Sequence, residues 1–136
     1  MQATCVQPET GQVEWIRDGE ETLAVLIRAE MQPDATTFLT PPDFKQQVGF
    51  VVHPAGSEIP RHDHVVLERS IRGTSECILV RRGKSEVTLY DRQHREVCRR
   101  VIATGDVLLL IAGGHGFRQI EDTVFLEIKQ GRSEER

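Results

Sequence analysis

GSEIPRHDHVVLERSIRGTSECILVRRG, residues 56–83, contains the two features that decide how this chain is read. One is the triplet His62-Asp63-His64, and the other is the alternating set Glu76, Ile78 and Val80. On an extended strand, side chains alternate between faces, so His62 and His64 project together and Asp63 points away. The same rule puts the Glu76 carboxylate on the face of Ile78 and Val80, an apolar one. A buried carboxylate is costly unless it is paired or bound to a metal. A further histidine, His115, stands in Gly113-Gly114-His115-Gly116-Phe117, where the glycines let the backbone turn tightly beside it. Neutral imidazoles and a carboxylate are standard ligands of divalent transition ions. His62, His64, Glu76 and His115 are therefore the candidate metal ligands.

Outward from this stretch the chain reads as short strands divided by turn residues. Strands are expected at 23–27, 36–39, 47–53 and 59–66, the last carrying the histidine pair. Others are expected at 76–81, 85–90, 96–102, 107–112, 117–120 and 124–129. Arg82-Gly83-Lys84 is a hairpin turn, and Gln32-Pro33-Asp34, Thr104-Gly105-Asp106 and Glu121-Asp122 are further breaks. Roughly ten short strands at regular spacing predict an all-β sandwich or closed barrel. Residues 1–19 read as a loose arm or short edge strand, 23–129 as the core and 131–136 as a charged tail, together one domain. The chain has 136 residues, long enough to bury a core.

Composition removes several function classes. A net charge of −4 with acids and bases interspersed leaves no footprint for nucleic acid. The longest apolar run, residues 107–112, is too short to span a membrane. No signal peptide is recognisable, so the default expectation is a soluble cytoplasmic protein. Three cysteines, Cys5, Cys77 and Cys98, lack CxxC spacing and suggest neither a disulfide framework nor a zinc ribbon. No phosphate loop, dinucleotide fingerprint or nucleophile elbow is present.

These residues resemble the cupin family. The family's first motif, G-x5-H-x-H-x(3,4)-E-x6-G, is met in two pieces: Gly56-x5-His62-x-His64, then Glu76-x6-Gly83. Eleven residues separate His64 from Glu76, whereas Glu68 keeps the shorter spacing but lacks the glycine. Burial favours Glu76, because Glu68 lies in the polar run Glu68-Arg69-Ser70. The second motif is similar to Gly105-Asp106, Ile111-Ala112-Gly113-Gly114-His115 and Gln119, with isoleucine for proline and glutamine for asparagine. The resemblance covers about residues 47–129. It implies a double-stranded β-helix, or jelly roll, with one divalent metal (Fe, Mn, Ni, Co or Zn) inside one end, and commonly a homodimer.

A shared fold does not fix a reaction. The leading expectation is a small-molecule metalloenzyme, either an isomerase or epimerase or an iron-type oxygenase, with an open position for water and substrate. The alternative is a non-catalytic small-molecule or sugar-binding module whose metal is structural or absent. Arg61 and His53 are weaker candidates, and Gln119 has the strand parity of His115. Glu127 and Lys129 read first as solvated edge charges, with proton transfer as their functional reading. Residues 23–27 and Trp15 are apolar enough to predict a homodimer.

Overall fold

The computed structural model describes residues 11–132 and residue 134. Cys5 and the first half of the expected arm lie outside these residues. The chain forms two compact units, Gln32–Gly73 and the described part of Gln7–Met31 with Thr74–Arg136. Ten strands occur among the described residues, all paired antiparallel, with no helix, so none is long and apolar enough to cross a membrane.

The larger unit holds eight of these strands: β1 (Val13–Asp18), β2 (Glu21–Ile27), β5 (Glu76–Arg82), β6 (Lys84–Tyr90), β7 (Glu96–Ala103), β8 (Val107–Leu110), β9 (Gly114–Gln119) and β10 (Val124–Lys129). They form a five-stranded sheet in the order β1-β2-β8-β5-β10 and a three-stranded sheet in the order β7-β6-β9. Val13–Asp18 settles the reading of the arm in favour of an edge strand, paired along β2.

Alternation sorts each strand into a core face and an outer face. Ala24, Leu26, Ile78, Val80, Leu108 and Leu110 of the wide sheet share one buried cluster with Val87, Leu89 and Ile102 of the narrow sheet. Residues 23–27 are at most 4% exposed, so their apolar run on both faces is covered within a single chain. It supplies no spare surface for a partner. Both described cysteines, Cys77 and Cys98, are free thiols whose burial pushes their pKa up, as suits packed side chains rather than nucleophiles.

Two polar devices join the sheets. Asp106, 5% exposed, accepts hydrogen bonds from the Ala29 and Ala103 amides, both at 2.9 Å, and from the Arg28 guanidinium at 3.1 Å. The same Arg28 nitrogen donates to the Val101 carbonyl of β7 at 2.6 Å. At the outer edge, Arg100 of β7 grips the Glu14 carboxylate of β1 with two nitrogens, at 2.6 and 2.9 Å. That hydrogen bond, more than the charge itself, holds the Glu14 pKa below its ordinary carboxylate value.

In the smaller unit, β3 (Thr37–Phe38) and β4 (Gly49–Phe50) form a short hairpin. Thr40 Oγ1 takes the Val48 amide at 2.9 Å, and the Gln47 amide group donates to the Pro41 and Phe44 carbonyls at 2.9 and 2.8 Å. Here the structure departs from two sequence expectations. The strand expected over 47–53 is paired only at Gly49–Phe50, and residues 51–75 contain no strand, including the expected 59–66. Pro54 and Pro60 bring no amide donor to a ladder, and Pro60 immediately follows the apolar start of the second run. Val65 and Val66 are 81% and 92% exposed.

Asp106→Asn should lower the unfolding free energy by about 2 kcal/mol or more, because an amide NH2 would face protein N–H donors. Urea denaturation of both proteins measures this. Glu14→Gln tests the edge clamp. Its folded pKa is depressed, so its contribution is present above the unfolded carboxylate value and disappears as pH falls through the folded one. Wild type should exceed Glu14→Gln by at most about 1 kcal/mol at neutral pH, since both partners are about one-third exposed. The gap should close on acidification, as followed by urea midpoints across that range.

Candidate functional site

At the β9–β10 side of the larger unit the two sheets enclose a cleft of about 660 Å³. Thr74, Glu76, Ile78, Gly113, Gly114, His115, Phe117, Phe125, Glu127 and Glu134 line it. Each reaches it through strand parity. Glu76 and Ile78 come from the core face of β5. His115 and Phe117 come from β9, opposite Leu89 and Val87 of β6, whose side chains fill the core. Phe125 and Glu127 come from β10, opposite Val80 and Ile78. The Phe117 and Phe125 rings, with centroids 5.0 Å apart, form an apolar floor, and His115 lies edge-on to Phe117 at 5.9 Å.

The polar end of the cleft is a pair from opposite sheets. Glu76 Oε2 stands 3.8 Å from His115 Nε2, with side chains 17% and 31% exposed. In register, Glu76 lies opposite Lys129 of β10, and the Lys129 ammonium is 3.9 Å from the Glu127 carboxylate. The floor therefore carries an imidazole, two carboxylates and an ammonium on facing strands.

Backbone geometry fixes His115. Gly113 has φ +72°, and a Cβ there would fall 2.2 Å from the Tyr90 carbonyl oxygen. Only glycine lets the chain pass this close to β6 and enter β9 in register. Gly83, which sets the hairpin after β5, is equally constrained: at φ +100° its Cβ would meet the Asp122 carbonyl at 2.2 Å.

His62 and His64 belong to the smaller unit. Their rings lie 5.3 Å apart, and His62 Nδ1 is 2.9 Å from the Pro60 carbonyl. Asp63 accepts from Arg61 at 3.1 Å, in a pair more than three-quarters exposed. His53 and Glu68 are exposed. The four candidate ligands thus fall into two neighbouring pairs, one in each unit. Among the described residues, no group of three or more His, Cys, Asp or Glu side chains is gathered as a metal site. The Glu76–His115 pair nonetheless suits an ion. Donors each about 2.1 Å from a common metal lie at most about 4.2 Å apart, and 3.8 Å is inside that limit.

Two placements differ from the sequence reading. Glu127 lines the cleft instead of facing solvent, because on β10 the odd positions face inward and Leu126 and Ile128 face out, 43% and 56% exposed. Phe125, which shares the parity of Glu127, was the available signal. Glu134, in the expected charged tail, also reaches the cleft, with no pattern in the sequence to mark it. Gln119, opposite Ser85, is exposed and is not a lining residue.

Comparison with protein-family models, curated proteins and solved structures finds no match to this chain.

Gly113→Ala should cost more than about 1 kcal/mol through its left-handed backbone and the clash with Tyr90. Gly116→Ala, with open space around the added Cβ, should cost less. Thermal unfolding of the two variants provides the comparison.

Proposed function

We propose that this chain is a cupin-like, metal-dependent protein with a jelly-roll fold that binds and transforms a small polar molecule as a homodimer. The observation that carries the reading is the facing pair Glu76–His115 at the polar end of a cleft with an apolar floor. The motif residues of the sequence support it from a second direction, since Glu76-x6-Gly83 and Gly113-Gly114-His115 supply both members of the pair.

In this reading Glu76 and His115 hold one divalent ion, and His62 and His64 are the further candidate ligands. When bound, such an ion acts as a Lewis acid toward an oxygen of a hydroxy-ketone, an enediol or a sugar derivative. The surrounding residues do the rest. Ile78, Phe117 and Phe125 exclude water from the floor and orient the carbon skeleton. Glu127, next to Lys129, is placed to accept or return a proton on the substrate. Isomerisation or epimerisation follows most directly from an acid–base pair beside a polarised oxygen.

The test begins with elemental analysis of protein purified without chelator, followed by calorimetric titration with Zn, Mn, Fe, Co and Ni. Glu76→Gln and His115→Ala should each weaken the bound ion by about tenfold or more, while Glu68→Gln leaves it unchanged. The same titration of His62→Ala and His64→Ala reports whether the second pair takes part. No bound metal, and no binding of any of the five ions, overturns the reading.

A further inference from the structure

The outer face of the wide sheet is as apolar as its core face, and it ends on an open edge. One in-register row runs Val25, Leu109, Cys77, Ile128 across β2, β8, β5 and β10. Its exposure rises along the row: Val25 and Leu109 are buried, Cys77 is half-buried and Ile128 is 56% exposed. Val124 and Leu126 extend this uncovered surface along β10, each 43% exposed. β10 is also the terminal strand of its sheet, with β5 on one side only. An apolar edge strand with a free ladder is a pairing template unless something occupies it.

The sequence of β10 selects the occupant. In an antiparallel pair of two identical strands the residues opposite one another have a constant index sum, and only residues of the same parity share a face. Three two-fold registers are available near the strand centre. Centring on Glu127 sets two carboxylates directly against each other, which is destabilising. Centring on Leu126 sets Glu127 against Phe125. Centring on Ile128 sets Glu127 against Lys129 of the second copy, and by symmetry does so twice, with the two Ile128 side chains meeting on the axis. The alternating charges thus penalise the first register and reward the last. They specify one pairing and do not merely blunt the edge.

We infer that a second copy of this chain docks on β10, edge to edge and antiparallel about Ile128, so that the wide sheets of two molecules continue as one. The proposal rests on the homodimer reading above and gives it a surface. An isologous pair of this kind closes on itself and leaves neither β10 edge open. It also has a consequence for the cleft. Glu127 lines the cleft, so each site gains Lys129 of the second copy across from its own acid.

Sedimentation velocity on the full chain, at concentrations on the order of 10–100 µM where a specific interface of ordinary size is populated, tests this. Wild type should be a dimer. Ile128→Lys and Glu127→Lys should each raise the dissociation constant by about tenfold or more. The exchange Glu127→Lys with Lys129→Glu should restore dimerisation, because reciprocity is preserved. Circular dichroism confirms folding of each variant, and Ile128→Thr, compatible with a strand, replaces any variant that unfolds. A monomeric wild type overturns both this surface and the homodimer reading. A dimer indifferent to Ile128→Lys and Glu127→Lys overturns only the surface, and failure of the charge exchange to rescue overturns the register.

Discussion

A single buried carboxylate holds the larger unit together. Asp106 receives protons from the end of β2, through Ala29 and Arg28, and from the end of β7, through Ala103. Its own backbone takes part in the ladder beside it: the Val80 amide donates to the Asp106 carbonyl at 3.0 Å, and the Gly105 amide donates to the Val80 carbonyl at 2.8 Å. Four strands from both sheets therefore converge on a three-residue turn. Hydrophobic burial drives the sheets together without choosing a relative position, because it is non-directional. Directional bonds to a charged, almost fully buried acceptor make that choice, and an unsatisfied acceptor there would be expensive.

With the sheets fixed at the Asp106 turn, the chemistry collects elsewhere. Glu76 stands beside Leu110 in register, and His115 beside Leu89, so each polar group terminates a row that is otherwise core. The sandwich fills with Leu, Ile and Val near β2, β8 and β6. It becomes polar toward β9 and β10, where Glu76, His115 and Glu127 replace aliphatic side chains. Site and core are the same layer, distinguished only by which residues occupy successive positions.

Much of this larger unit could be read from the sequence. The run Glu76-Cys77-Ile78-Leu79-Val80 and the apolar positions of 85–90 and 107–110 alternate strongly, and their strands appear within a residue or two of the expected limits. Val124–Lys129 was placed at its true limits, yet its two faces were inverted. Leu126 and Ile128 look like core residues on any local count, and only the Phe125 ring on the opposite parity indicated otherwise. The region 47–75 misled for a different reason. Gln47-Val48-Gly49-Phe50-Val51-Val52 has strand composition, but a strand exists only where a neighbour completes its ladder, and local sequence does not specify the neighbour. The Asp106 bracket was equally invisible: Thr104-Gly105-Asp106 announces a turn, while the partners of its carboxylate lie as far back as Arg28.

The unequal widths of the two sheets set the form of the cleft. Five strands span four interstrand gaps, about 19 Å, whereas three span two, about 10 Å. Even so, both margins of the wide sheet reach the narrow one, through Glu14 and Arg100 on one side and Phe125 and Phe117 on the other. A broad sheet whose margins both meet a narrow one must be bowed. The register shifts lie where bowing needs them, at the outermost joints, between Ile16 and Arg17 against β2 and between Val124 and Phe125 against β5. Such shifts concentrate bend and twist in a strand pair. The hollow that contains Glu76 and His115 is thus a product of backbone curvature, and its depth is independent of the side chains that line it. Those side chains can be exchanged to alter what the hollow accepts, and the bowl itself will persist.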